Sequence, residues 1–166
     1  MKKILFLLFL PLCSLGQTAS TYIQEGNSKA NNKDYKGAIQ DFTHAIELNN
    51  KNADVFYYRA NAYGNLKDYK AAINDYADAV ALKPGLTNAY LYKANAEAAI
   101  QDYQTAITDF DRAIALGPKT ADMFHYRGNA KSNMGDYAGA IADFTTALQF
   151  TPNNADLYKY LSLIHI

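Results

Sequence analysis

The chain is 166 residues long, with 16 basic and 16 acidic side chains and three histidines, so its formal net charge is zero. That balance offers no basic stripe to nucleic acid and no charge run to a disordered tail. The single cysteine, Cys13, excludes a disulfide framework within the chain.

The first segment reads as an export signal. Lys2 and Lys3 precede an apolar stretch from Ile4 to Leu12, and small residues Ser14 and Gly16 flank Leu15. A basic, then apolar, then small-x-small order is the anatomy of a secretory signal peptide. The stretch is far shorter than the roughly 20 residues that span a bilayer. Residues 1–16 are therefore expected to be removed after Gly16, leaving Gln17 as the mature N-terminus of a periplasmic or extracellular protein. A lipid anchor at Cys13 is the less favoured reading, because Leu12 stands where such signals place a small residue. Loss of Lys2 and Lys3 leaves 14 cationic against 16 anionic side chains, a net charge of −2.

From Ala19 on, the same letters return every 34 residues. Tyr35, Tyr69, Tyr103 and Tyr137 form one column, and Ala38, Ala72, Ala106 and Ala140 another. Asp41, Asp75, Asp109 and Asp143 recur, each followed by an aromatic: Phe42, Tyr76, Phe110 and Phe144. A fixed period of this length predicts stacked copies of one unit, at about 19–52, 53–86, 87–120 and 121–154, with a partial copy at 155–160. The whole repeat domain is expected to span 17–160.

Each unit reads as two helices. The first runs from about Ala53 to Leu66, Thr87 to Ile100, and Ala121 to Met134. The second opens after Asp34, Asp68, Asp102 and Asp136, whose short carboxylates can accept from the free amides of a first turn. Its stripe of Tyr69, Ala72, Ile73, Tyr76, Ala79 and Val80 has helical spacing. Pro84, Pro118 and Pro152 punctuate three units, with Asn50 in that place in the first. Short turns between such helices force antiparallel pairs. The alanine columns permit close helix approach, so the fold class is all-α.

The pattern of Phe56, Ala60, Tyr63, Ala72, Tyr76 and Pro84 in the second copy, and of Phe124, Gly128, Ala140, Phe144 and Pro152 in the fourth, resembles the tetratricopeptide repeat. The resemblance covers about Ala19 to Tyr160. It implies a right-handed α-solenoid of four full repeats plus a truncated fifth, whose first helices line a concave, peptide-holding side.

Where the family usually has leucine, this chain carries Arg59, Lys93 and Arg127, with Glu25 in the first copy. The expected partners are the aspartates of the preceding unit: Arg59 to Asp41, Lys93 to Asp75, Arg127 to Asp109. That ladder also expects a cation at Leu161, opposite Asp143. Residues 161–166, Leu-Ser-Leu-Ile-His-Ile, instead resemble a translated sequencing adapter and are read as a non-native tail.

The concave side is expected to display Asn27, Asn61, Asn95 and Asn129. Asparagine is a weak interior helix former, so one per unit points to use of the amide, either as a clamp on an extended chain or as a lock within the repeat. Tyr57, Tyr58, Tyr92, His125 and Tyr126 flank the column, with Asn31, Asn65 and Asn133 one turn further on. A specialised subfamily binds carboxylate termini with lysines on this face. Here Ile23, Tyr57, Leu91 and His125 stand there, so a charge-based clamp is not carried over.

No His/Cys cluster has metal-ligand spacing, and no glycine-rich phosphate loop follows a strand. No catalytic residue, metal or cofactor is predicted. The functional reading is a non-enzymatic scaffold that holds a peptide or protein segment, with no nucleic-acid partner and no membrane span. Two alternatives stay open. One is the recognition arm of a longer envelope protein or enzyme; the other is a structural oligomer stacked through its terminal repeats.

Overall fold

The 34-residue period becomes a stack of helix pairs. The computed structural model describes residues 18–164. The export signal read at residues 1–16, with Cys13 in it, and the end of the tail at His165 and Ile166 lie outside the described residues. The first helices are α1 (Ala19–Asn31), α3 (Ala53–Asn65), α5 (Thr87–Ala99) and α7 (Ala121–Asn133). The second helices are α2 (Tyr35–Leu48), α4 (Tyr69–Leu82), α6 (Tyr103–Leu116) and α8 (Tyr137–Phe150). A further first helix, α9 (Ala155–Ile164), follows. The fold is an all-α solenoid of antiparallel pairs.

Each second helix starts where a carboxylate caps it. Asp34, Asp68, Asp102 and Asp136 accept from Gly37, Ala71, Thr105 and Gly139 backbone amides at 3.0, 3.2, 3.4 and 2.9 Å. Each first helix ends one residue sooner than expected. Leu66, Ile100 and Met134 are capping residues, and the chain then turns through a positive φ at Lys33, Lys67, Gln101 and Gly135. That left-handed residue reverses the chain, and only the fourth unit uses the glycine that adopts it without steric cost. The second helices stop in register with or without proline: α2 ends at Leu48, ahead of Asn50, as α4 ends at Leu82, ahead of Pro84.

The core is a continuous layer between the two helix rows. Phe42, Phe110 and Phe144 are fully buried, Tyr76 nearly so, and the alanine columns close around them. One cluster joins Phe56, Ala60, Ala72, Tyr76 and Ala79 to Ala89 of the next unit, so each core belongs to two repeats. At Gly26 and Gly128 a methyl group would lie 2.6 and 2.7 Å from the rings of Phe42 and Phe144. Leu161 packs against the last cluster, around Phe124, Phe144 and Leu157, and α9 runs on through it to Ile164.

The half-buried cations pair differently from the expected ladder. Arg59 grips Asp75 through Nε and Nη2, both at 2.7 Å. Lys93 Nζ donates to Asp109 at 2.6 Å, and Arg127 holds Asp143 through Nε at 2.9 Å and Nη2. Each partner lies in the cation's own unit. The expected Asp41, Asp75 and Asp109 are one repeat too early, because the aspartate faces back onto the first helix of its own pair. The reach to the preceding unit is made by the remaining guanidinium nitrogen. Arg59 Nη1 donates to Thr43 at 3.0 Å, and Arg127 Nη1 to Asp111. Those residues sit two positions beyond the aspartate, about 200° round the helix.

The first unit, which has Glu25 in the cation's place, is served from one turn on by Lys29, 2.7 Å from Asp41. Asp143 is filled by Arg127 and by Lys131 at 2.9 Å, so no cation is needed at Leu161. The third unit is short of charge. Lys93 serves both Asp109 and Glu97, the latter at 3.0 Å, and Glu97 Oε2 is buried without a hydrogen-bond partner.

Candidate functional site

Helices of neighbouring units approach most closely on one side of the stack. α1 touches α3, α3 touches α5, and α5 touches α7, while no comparable contact joins the second helices. The first helices therefore form the inner wall. The asparagine column lies on them, and all four members are half-buried.

Two cavities open along this wall. The larger, about 540 Å³, lies between α3 and α5, with Tyr57, Asn61, Tyr92 and Asn95 on its sides and Tyr76 of α4 beneath. The second, about 240 Å³, lies between α1 and α3 and takes in Asn27, Asn31, Tyr58 and Asn61. Asn61 and Asn65 border both, so the two form one groove. No charged side chain lines either cavity.

The asparagines are not equivalent. The Tyr76 hydroxyl donates to Asn61 Oδ1 at 2.6 Å. Burial pushes the Tyr76 hydroxyl well above its usual range, which keeps it a donor. Tyr57 is raised too, chiefly by burial, with Asn61 opposing the shift. The Asn129 amide lies 3.1 Å from His125 Nε2. An amide nitrogen can only donate, so Nε2 is the acceptor and the ring is neutral. Burial lowers the His125 pKa in the same sense. Among the described residues, the side chains of Asn27 and Asn95 make no hydrogen bond. Asn65 and Asn133 turn back on their own helices, donating to the carbonyls of Asn61 and Asn129 at 2.8 Å.

The structure thus brings Asn27, Asn61, Asn95, Tyr57, Tyr58 and Tyr92 into the groove. His125, Tyr126 and Asn129 are set apart from the two cavities. His125 stacks on Tyr126, with ring centroids 5.3 Å apart, and also meets Phe144 and Tyr160. Tyr76 is the groove residue that the sequence reading left in the core; its hydroxyl, where the other units have phenylalanine, was the signal. Among the described residues no cluster of His, Cys, Asp and Glu could hold a metal ion, and no helix is long and apolar enough to cross a membrane.

Sequence models of the tetratricopeptide repeat match residues 19–52, 42–74, 59–121 and 91–155. The chain belongs to the tetratricopeptide repeat family. No curated protein matches it. Among solved structures, a crystal structure of MamA protein is 24% identical, with a TM-score of 0.87 over 91% of this chain and 82% of that one. The first TPR of Spaghetti (RPAP3), bound to the HSP90 peptide SRMEEVD, is 27% identical, with a TM-score of 0.69 over 72% of this chain and 94% of that one. The Arabidopsis OM64 TPR domain is 25% identical, with a TM-score of 0.66 over 69% and 94%. These tetratricopeptide repeats share the solenoid described above.

Proposed function

We propose that this tetratricopeptide repeat protein is a non-enzymatic scaffold that holds an extended peptide or protein segment along its inner wall. The observation that carries the reading is Asn95. Its amide borders the larger cavity, half-buried, with no hydrogen bond to the protein. A group of that kind can donate to and accept from a partner backbone at once. The tetratricopeptide repeat of RPAP3 is described as bound to a peptide, which supports the same use of the fold here. The lining without charge favours amide and aromatic contacts over a carboxylate clamp. Export is part of the proposal and rests on the order of Lys2, Lys3 and the apolar run to Leu12.

A pull-down with the wild-type chain, against a Tyr92→Ala/Asn95→Ala variant of equal melting temperature, tests the groove. Partners retained equally by both chains would remove it from the site. N-terminal sequencing of the secreted product tests export, with Gln17 expected first.

A further inference from the structure

We infer that the groove recognises an uncharged, proline-rich segment in the polyproline II conformation, taking three ligand residues per repeat. The inference rests on the groove reading and adds the chemistry of the ligand. Tyr58, Tyr92 and Tyr126 stand at one register position, 34 residues apart. Each lies three residues before Asn61, Asn95 or Asn129, and therefore on the same helix face. The second and third units present this ring and amide to the groove, whereas the Asn129 amide is taken by His125. Tyr92 and Tyr126 are 43% and 39% exposed, whereas the aromatic column of the second helices is buried. Tyr92 does not stand alone: its ring centroid is 6.3 Å from Tyr57 and 6.5 Å from Tyr76.

The spacing selects the ligand. Packed helices lie about 8–10 Å apart, which sets the step from one ring-and-amide pair to the next. A polyproline II chain repeats every three residues at about 3.1 Å each, a step of about 9 Å. An extended β-strand repeats its side chains every two residues, about 7 Å, and falls out of step within two units. An α-helical ligand repeats each turn at about 5.4 Å and fits less well.

The chemistry agrees with the spacing. Polyproline II makes no internal hydrogen bonds, so its carbonyls are free to accept from the amide of Asn95. The Tyr76 hydroxyl occupies Oδ1 of Asn61, and Tyr57 lies against the rest of its amide, so Asn95 carries the amide with no protein partner. Flat proline rings suit tyrosine faces, and a stiff ligand loses little entropy on binding. With no lysine or arginine on the lining, an acidic segment gains nothing here.

The test is fluorescence anisotropy on the full chain with three end-blocked or free peptides of about twelve residues. One repeats Pro-Pro-Ala, one repeats Gly-Ser-Ala, and one is acidic with a free carboxylate terminus. The Pro-Pro-Ala peptide is expected to bind at least about tenfold tighter than the other two. Tyr92→Ala and Asn95→Ala should each weaken it by about fivefold or more, with melting temperature unchanged. Equal or tighter binding of either control, lost in the same variants, overturns the proline inference and leaves the groove reading intact. Failure of the Pro-Pro-Ala peptide to bind overturns the inference as well. Proline-peptide binding indifferent to both substitutions overturns it and the groove reading together.

Discussion

The Tyr76 hydroxyl donates to Asn61 across the helix pair of one unit, at 2.6 Å. Asn95, one repeat on, has Phe110 in the corresponding place and no such bond. Removing the acceptor leaves a buried hydroxyl unsatisfied. Asn61→Ala is therefore expected to cost about 1–3 kcal/mol in urea denaturation, and Asn95→Ala within about 0.5 kcal/mol. Tyr76→Phe in the Asn61→Ala background should recover most of the loss. Equal costs for the two asparagines would mean that the hydroxyl does not distinguish them.

Arg59 and Asp75 form the cleanest ion pair of the stack. Their side chains are 16% and 7% exposed, and the guanidinium holds the carboxylate at two points. Arg59→Met leaves that carboxylate buried and unpaired, a loss of about 3–5 kcal/mol. Adding Asp75→Asn should restore a large part of the melting temperature. Adding Asp41→Asn should not, because Asp41 is served by Lys29. A double-mutant cycle that couples Arg59 to Asp41 instead would contradict the pairing.

The third unit should respond to pH. Burial pushes the Glu97 carboxyl up, to about 7; Lys93 opposes the shift and Asp109 adds to it. Because the folded-state value is raised above 4.5, protonated Glu97 favours the fold. That contribution is fully present below about pH 4.5 and is lost as pH rises through about 7, at most about 3 kcal/mol in all. Glu97→Gln should flatten the profile over this window and be more stable than wild type at pH 8. Denaturant midpoints that track each other across the range would refute it.

The turn residues offer a stabilising change. Gln101 sits at φ 67°, a conformation that disfavours a side chain. Gln101→Gly is expected to raise stability by about 0.5–1 kcal/mol, and Gly135→Ala, at φ 83°, to lower it by more than about 1 kcal/mol. Thermal melts of the two variants side by side check both signs.

The starts of the second helices were legible because each is written locally, in a capping aspartate followed by an apolar stripe. The ion-pair partner was not. Asp41 and Asp75 are the same letter in the same column, and a period alone cannot say which copy an arginine meets. The register of an antiparallel pair decides that, 16 residues within one unit. The inequality of the asparagines on the first helices was not read. Its signals were the exceptions in otherwise uniform columns. Tyr76 carries a hydroxyl among phenylalanines, and His125 stands one turn before Asn129 among aliphatic residues and a tyrosine. The left-handed turns had one visible sign, Gly135; Lys33, Lys67 and Gln101 give none.

Because Tyr58 and Tyr92 stand 34 residues apart along the groove, the proposed ligand would meet the inner wall as a ruler. A ligand lengthened by one triplet reaches one more graduation and gains a full increment of grip; one lengthened by a single residue gains almost nothing. Affinity should therefore climb in steps rather than smoothly as the bound chain grows.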